Sequence, residues 1–217
     1  MKTTYNIMLR NRLLYYWFLF LFLSSCREGY TPPWGDQIAG NTYCQNLLHY
    51  TEDFHDEYWF KDEADVQNNV ATDPNKHRTA DLLDISEDPK ESRVYQKVDS
   101  VPSGTFVFSV HLRSTPGTKG SFAIGVEFRG QKRIWNKEVV ELSDDAWTRA
   151  SVKIEVPAEG EIVVFPAYAL IKGSSLNKVY AWGAQLERIT SSDENAGAYC
   201  GNEVLLGSTS SEYTFIR

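Results

Sequence analysis

A two-residue alternation of apolar and polar side chains recurs through the middle of this chain and constrains its fold more than any other feature. Segment 104–113 reads GTFVFSVHLR and segment 121–129 reads SFAIGVEFR, and in both every second residue is apolar. Because successive side chains of a strand point to opposite faces of a sheet, this period predicts strands with one buried face. The turn-rich sequence STPGTKG lies between the two segments. It predicts that they pair as a hairpin.

Similar patterns predict further strands on either side of this pair. They lie at 66–70, 79–85, 94–98, 134–140, 147–156, 161–169 and 178–189. Pro166 falls inside one of them, and since proline donates no ladder hydrogen bond, we expect an edge or a bulge there. No long amphipathic helix separates the strands, which argues against a parallel α/β fold. Many short strands with frequent turns indicate an all-β antiparallel β-sandwich or barrel.

Charge and composition narrow the classes of function. The chain has 22 basic residues against 29 acidic ones, a net charge of −7. An acidic chain lacks the basic footprint that a nucleic-acid partner requires, so none is expected. The apolar content of 42% and aromatic content of 13% exclude wholesale disorder.

The N-terminal segment resembles the signal peptide of a bacterial lipoprotein. Three basic residues precede the apolar run LLYYWFLFLFL, which is shorter than the roughly 20 residues of a membrane-spanning helix. The run ends in Leu23-Ser24-Ser25-Cys26, which is similar to a lipobox. The resemblance implies that residues 1–25 are cleaved and that acyl chains on Cys26 anchor the protein to a membrane. The alternatives are a signal-anchor helix and an ordinary signal peptide.

The order of segments predicts the organisation of the mature chain. Residues 26–43 form a lipidated tether, 44–189 the β-sandwich domain, and 190–217 a C-terminal extension. Arg27 follows the lipidated cysteine, where aspartate would resemble an inner-membrane retention signal. We therefore expect a lipid-anchored protein of the bacterial cell envelope, at the outer membrane rather than the inner.

The cysteine count predicts one disulfide. With Cys26 acylated, Cys44 and Cys200 remain as an even pair in a compartment that permits oxidation. A bridge between them would tie the extension back to the start of the domain. The alternative is a pair of free, buried thiols.

Four segments, in order from Asn46 to Arg188, resemble a family of carbohydrate-binding modules. The modules are galactose-binding-like jelly rolls, found on secreted polysaccharide-degrading enzymes and on phage tail proteins. The matching segments are Asn46-Leu47-Leu48 with Thr51-Glu52-Asp53-Phe54 and Trp59, Thr79-Ala80-Asp81 with Leu83, Val94-Tyr95-Gln96 with 105–112, and 180–187 (YAWGAQLE).

The resemblance implies a jelly-roll fold and a set of structural residues. Trp59, Trp147 and Trp182 stand where the family packs its core tryptophans. Related modules often hold a structural Ca²⁺ near the first and last strands, which makes Glu52 and Glu187 its candidate ligands. The chain departs from the family in carrying its module on a lipid anchor, with a cysteine-bearing segment at each end.

The sequence carries no recognisable catalytic motif, so we expect a protein that is not an enzyme. It has no HExxH pair, no GxSxG elbow and no glycine-rich phosphate loop. Its many acidic residues could include a glycosidase pair, but a solvated acidic surface is the commoner reading.

The predicted ligand is a glycan or polysaccharide bound on the wetter face of the hairpin. Flat aromatic rings stack on sugars, and planar polar groups bond to their hydroxyls. The candidate binding residues are His111, Arg113, Glu127, Arg129 and Trp135. The alternative for this face is an ordinary solvated surface with cross-strand charge pairs. The alternative function is a protein-interaction or assembly lipoprotein that uses its loops or the acidic segment 61–90.

Overall fold

The computed structural model describes residues 46–88, 90–189 and 196–201. They form ten strands and no helix, so nothing in this part of the chain is a helix long and apolar enough to cross a membrane. The strands are β1 (Phe60–Asp62), β2 (Asp65–Ala71), β3 (Ala80–Asp84), β4 (Arg93–Val101), β5 (Gly104–Ser114), β6 (Gly120–Arg129), β7 (Ile134–Leu142), β8 (Thr148–Val156), β9 (Gly160–Tyr168) and β10 (Lys178–Ile189).

The strands make two antiparallel sheets of five strands each. Sheet A has the order β1-β4-β9-β6-β7, and sheet B has the order β2-β3-β10-β5-β8. Strands β3 to β10 alone give the four-stranded sets β3-β10-β5-β8 and β4-β9-β6-β7. This interleaved order is that of a jelly roll, with its two Greek keys. The all-β jelly-roll sandwich expected from the sequence is therefore confirmed.

The predicted hairpin between 104–113 and 121–129 is wrong. Strand β5 pairs with β8 and β10 in sheet B, whereas β6 pairs with β7 and β9 in sheet A. The turn between them carries the chain from one sheet to the other. Alternation specifies which side chains of a strand are buried, but it does not specify the neighbouring strand. Both strands satisfy their pattern by facing one core from opposite sides.

The core lies between the inner faces of the sheets and follows the alternation of the sequence. The apolar sets of β5 and β6 are at most 1% exposed, and they comprise Phe106, Phe108, Val110, Leu112, Phe122, Ile124, Val126 and Phe128. Full burial of each such side chain contributes about 1.5–3 kcal/mol relative to leaving it in water. Because this core uses only one face of each sheet, the outer faces remain available for other roles.

The bulge expected at Pro166 is present. Val94 pairs with Ala167 and Gln96 with Val164, so Phe165 and Pro166 together oppose the single residue Tyr95. On its other side, β9 pairs with β6 only as far as Phe165. The proline therefore sits in the middle of a sheet without removing a ladder bond.

A buried carboxylate, that of Asp81, ties the loop before β1 and the irregular part of β2 to β3. Its two oxygens accept hydrogen bonds from the backbone N–H groups of Phe54, at 2.7 Å, and Asn69, at 2.8 Å. Burial raises the pKa of Asp81 to about 6, although these two donors act to lower it. Asn69 adopts a positive φ of 56° at the β2 irregularity opposite β3, so the carboxylate supports a strained backbone position.

We expect Asp81→Ala to lower the free energy of unfolding by about 2–4 kcal/mol, because the buried N–H group of Phe54 and the part-buried one of Asn69 lose their acceptor. Urea unfolding of the variant and the wild type measures the difference. Asp99→Ala is the matched control, since Asp99 is exposed on β4, and it should change stability by less than about 0.5 kcal/mol. Equal loss in both variants would contradict the role given to Asp81.

Candidate functional site

A row of aromatic side chains crosses the outer face of sheet A. The row, called the aromatic row below, consists of Phe60 on β1, Tyr95 on β4, Phe165 and Tyr168 on β9, and Trp135 on β7. Ring centroids are 5.1 Å apart for Phe60–Tyr95, 5.8 Å for Tyr95–Phe165 and 5.1 Å for Trp135–Phe165. The row is therefore continuous from one edge of the sheet to the other.

Strand β6 lies between β7 and β9 and contributes no ring to the row. Trp135 of β7 still reaches the rings of β9, because the residue of β6 at this point is Gly125. A Cβ on Gly125 would come within 2.8 Å of the Trp135 ring and of Ile171. Glycine leaves the space through which the indole of Trp135 lies across β6 and contacts Phe165. Although it takes part in this packing, Trp135 stays 39% exposed, and Phe60 at the other end is 46% exposed. Both ends of the row present ring surface to solvent.

An open groove of about 1080 Å³ runs along this face and around the β7 edge. Its base is apolar, since Phe165 and Ile171 are buried together with Ala123 and Val163. The groove, called the outer groove below, is lined by Arg93, Glu127, Arg129, Arg133, Trp135, Asn136, Lys137, Glu138, Ser151, Val152, Lys153, Phe165, Tyr168, Leu170, Ile171 and Lys172.

Ion pairs fix the polar side chains of the groove. Glu127 has a side chain only 1% exposed; Arg129 bonds one of its oxygens at 2.9 Å, and Arg133 contacts the other. Arg129 also reaches Glu161 at 3.1 Å. These contacts hold two guanidinium groups at one end of the groove in fixed positions.

The guanidinium group of Arg93 lies over the aromatic row, as does the ammonium group of Lys97. The guanidinium of Arg93 lies 5.2 Å from the Tyr95 ring centroid and 5.6 Å from that of Tyr168, and it bonds Asp62 at 2.5 Å. Burial acts to lower the pKa of Arg93, but the hydrogen bonds and charges of Asp62 and Tyr168 together outweigh it and hold the pKa above its ordinary value. The rings and the cations together form an aromatic surface with a charged border.

The structure brings together three of the five predicted binding residues. Glu127, Arg129 and Trp135 lie in the outer groove. His111 and Arg113 are on β5, in the other sheet, where they pair with Trp182 and Tyr180 of β10. The separation follows from the wrong hairpin, because the prediction placed β5 and β6 side by side.

The outer face of sheet B is a packed cluster. Arg113 lies between Trp147 and Tyr180, with its guanidinium 4.8 Å and 5.4 Å from the ring centroids. Trp59 and Trp182 are buried, as expected, but Trp182 packs on this outer face with Ala71 and Ala80. Trp147 is partly exposed here, so the prediction that it belongs to the core is wrong. The sequence around Trp147 does not distinguish a position in the core between the sheets from one on an outer face under the guanidinium of Arg113.

His111 is part of this packing. Its ring centroid lies 5.5 Å from that of Trp182 and 6.3 Å from that of Tyr199. Burial, and then the nearby charge of Arg149, lower the pKa of His111 to about 4. The side chain is therefore neutral and enclosed at physiological pH, unlike the exposed ligand that the sequence predicted.

Residues 196–201 lie on β10 and on the start of the domain. The Tyr199 ring is 4.6 Å from that of Trp182, and its hydroxyl hydrogen-bonds Glu52 at 3.0 Å. The backbone N–H of Gly197 donates to Glu187 at 2.7 Å. The two candidate calcium ligands thus each accept a bond from this segment. The described residues hold no group of three His, Cys, Asp or Glu placed for a metal, and calcium binding through Glu52 and Glu187 stays a prediction.

Several predictions concern residues outside the described ranges. These are the signal peptide 1–25, Cys26, the tether 26–43, and most of the extension 190–217. Cys200 is described, and its backbone N–H donates to Gln185 at 3.1 Å. Its predicted partner Cys44 is not, so the bridge stays a prediction.

Sequence reasoning missed most of the aromatic row, namely Phe60, Tyr95, Phe165 and Tyr168. The signal for two of them was present, because 161–169 (EIVVFPAYA) is apolar on both faces. That pattern predicted a central strand, which β9 is. In this sandwich, however, an apolar outer face is exposed to water unless another segment of the chain or a ligand packs on it. Aromatic residues on such a face are the signal that could have indicated the groove.

No family model matches the chain, and no curated protein resembles it closely enough in sequence to count as a relative. Solved structures do match in shape. The xylan-binding domain CBM22-1 from Paenibacillus barcinonensis Xyn10C is 10% identical, with a TM-score of 0.47 over 68% of this chain and 96% of that one. The C-terminal family 22 carbohydrate-binding module of Clostridium thermocellum Xyn10B is 13% identical, with a TM-score of 0.48 over 67% and 97%.

A third similar structure belongs to a much longer protein. The enzymatically active domain of bacteriophage CBA120 tailspike protein 4 is 10% identical, with a TM-score of 0.46 over 66% of this chain. The chain spans only 21% of the tailspike domain's length. The fold assignment rests on the strand order described above, which the chain itself supplies. Fold and site together define a jelly-roll protein with an aromatic groove on one outer face.

We expect acid to destabilise the fold through His111. Between its folded pKa of about 4 and the ordinary value of about 6.5, the unfolded chain binds more protons than the folded one. Stability is therefore lost as the pH falls through this window, by about 1–3 kcal/mol from this group. His111→Gln removes the titration, so the stability difference between wild type and variant should shrink from pH 7 to pH 4. Urea unfolding across this range measures it.

His55→Gln is the matched control, because His55 is exposed in the loop before β1. Its stability should follow the wild-type curve over the same pH range. Parallel curves for the wild type and His111→Gln would show that His111 titrates alike in both states and would contradict the prediction.

Proposed function

We propose that this chain is a non-catalytic glycan-binding protein that holds a polysaccharide in the outer groove of sheet A. The aromatic row is the observation that carries the proposal. Sugar rings present C–H faces that stack on flat aromatic rings, and the row exposes such rings at both ends. The fixed guanidinium groups beside them supply donors for sugar oxygens. An open groove along a sheet face suits an extended chain.

The groove is suited to holding a glycan and not to cleaving it. Glycoside hydrolysis commonly uses two carboxyl groups on either side of the bond, one of them free to give a proton. In the described part of the groove, Glu127 is buried and both of its oxygens contact arginines. Glu138 is exposed on β7, on the strand face opposite to that of Trp135. Glu127 is therefore a positioning group for Arg129 and Arg133.

We place the protein on the bacterial envelope, anchored by lipid at Cys26, with the outer membrane favoured. The support is the sequence Leu23-Ser24-Ser25-Cys26 at the end of a short apolar run, with Arg27 behind it. An anchored binding domain keeps its polysaccharide near the membrane. This raises the concentration of substrate for neighbouring enzymes and transporters.

We expect Trp135→Ala and Tyr168→Ala each to weaken glycan binding by about tenfold or more, since roughly 1.4 kcal/mol of lost stacking corresponds to tenfold in affinity. A glycan array first identifies the ligand of the full-length protein in detergent. Isothermal titration then gives the affinity of each variant.

Trp147→Ala is the matched control, because Trp147 is also a partly exposed tryptophan but lies on the outer face of sheet B. It should bind as the wild type does. Loss of binding in Trp147→Ala with none in Trp135→Ala would move the site to sheet B. A blank array, together with envelope proteins that co-purify, would favour the alternative of a protein-interaction lipoprotein.

The anchor is tested separately. We expect the protein expressed in a bacterium that processes lipoproteins to incorporate radioactive palmitate, and Cys26→Ser to abolish the label. Cys200→Ser is the control and should remain labelled. Labelling that survives Cys26→Ser would contradict lipidation at this residue.

A further inference from the structure

The charge of the outer groove is opposite to that of the chain. Six of the eight charged residues that line it in the described structure are basic. The chain as a whole has 22 basic residues against 29 acidic ones. Resting on the proposed function, we infer that the polysaccharide held in this groove is anionic, carrying carboxylate or sulfate groups on its sugars.

The positive charge remains after the ion pairs of the groove are taken into account. Glu127 neutralises part of the positive charge of Arg129 and Arg133. At the margins of the groove, Asp62 pairs with Arg93 and Glu161 pairs with Arg129. With these two margin carboxylates included, six basic groups face four acidic ones. Arg133 keeps its side chain 72% exposed while it contacts Glu127. It can therefore present its outer N–H groups to a ligand.

Two lysines at the other end of the groove, Lys137 and Lys172, are not neutralised by an acidic side chain among the described residues. Nζ of Lys137 donates to the backbone carbonyl of Lys172, and neither side chain forms an ion pair with a described residue. Both residues are exposed. A cation that is held in place by a neutral carbonyl and faces an open groove is suited to an anionic ligand.

The basic groups flank the stacking ring. Arg133, Trp135 and Lys137 follow one another at every second position, beginning just before β7. Trp135 and Lys137 pair with Glu127 and Gly125 of β6, and Arg133 contacts Glu127. The three side chains therefore lie on the same face, and neighbouring Cα atoms among them are roughly 7 Å apart. A sugar stacked on Trp135 has a guanidinium on one side and an ammonium on the other.

This arrangement predicts a particular chemistry of recognition. Guanidinium groups bind carboxylate and sulfate oxygens through paired N–H donors, and lysine acts as a point charge. Such contacts at an open groove are screened by salt, since the Debye length is about 10 Å at 0.1 M and about 3 Å at 1 M. Binding of an anionic glycan should therefore weaken steeply with ionic strength.

The test compares anionic polysaccharides with neutral counterparts, using the full-length protein in detergent. The anionic probes are polygalacturonate, alginate, chondroitin sulfate and dextran sulfate. The neutral probes are fully methyl-esterified pectin, xylan, galactan and dextran. Affinity electrophoresis and isothermal titration measure binding, and we expect it for at least one anionic probe, with at least tenfold weaker binding to the neutral probes. Carboxylated probes binding without sulfated ones would assign the ligand group to uronate, and the reverse would assign it to sulfate.

A double variant, Lys137→Gln with Lys172→Gln, should weaken binding of the anionic probe about tenfold and flatten its dependence on salt. Lys119→Gln is the matched control, because Lys119 is an exposed lysine in the turn between β5 and β6 and does not line the groove. The control should bind as the wild type does, and thermal unfolding of each variant checks that it is folded.

The outcomes separate this inference from the proposed function. Binding of neutral polysaccharides that Trp135→Ala abolishes, with no preference for charged ones, would overturn the inference and leave glycan binding intact. Anionic binding that persists in Trp135→Ala and in the lysine double variant would place it outside the groove and overturn both. The absence of binding to every probe would also reject both.

Discussion

The packing of two inner sheet faces against one core is the constraint on which the rest of this structure depends. Each strand has two faces, and the jelly roll uses one of them for stability. The alternating apolar sets of β5 and β6 fill the space between the sheets. The opposite faces of the same strands are then free to differ in chemistry. The two outer faces diverge in this protein, because one is an open groove and the other is a packed cluster.

The two outer faces share their residue types and differ in their cover. Each combines tryptophan, tyrosine and arginine. On sheet B, Arg113 lies between two rings, and Tyr199 from residues 196–201 packs over Trp182. On sheet A, the side chains of Arg93 and Lys97 lie over rings of the row, and Ile171 is buried against Phe165. Trp135 and Phe60 nevertheless stay 39% and 46% exposed. The groove therefore follows from an uncovered face, and composition alone would not have distinguished it.

The sequence predicted the fold because period-two alternation is a local property with one structural meaning. Strands β2 to β10, the all-β class and the bulge at Pro166 were all within its reach. The short strand β1 was not predicted, and the burial of Trp59 was implied by the family resemblance. Strand partners were not within its reach, since β5 can cross to the other sheet or turn back with the same pattern. Because of this ambiguity, the prediction placed His111 and Trp135 in one site, whereas the structure has them on different sheets. The role of Gly125 was equally hidden, because it depends on the distance between β7 and β9 in the folded sheet.

A crystal structure of the protein with an oligosaccharide cut from a polysaccharide that it binds would test the central claim most directly. We predict a sugar ring stacked on Trp135 in the outer groove, with its substituents directed toward Arg133 and Lys137. A sugar bound instead against Trp147 and Tyr180 on sheet B, or on the loops away from both faces, would contradict it.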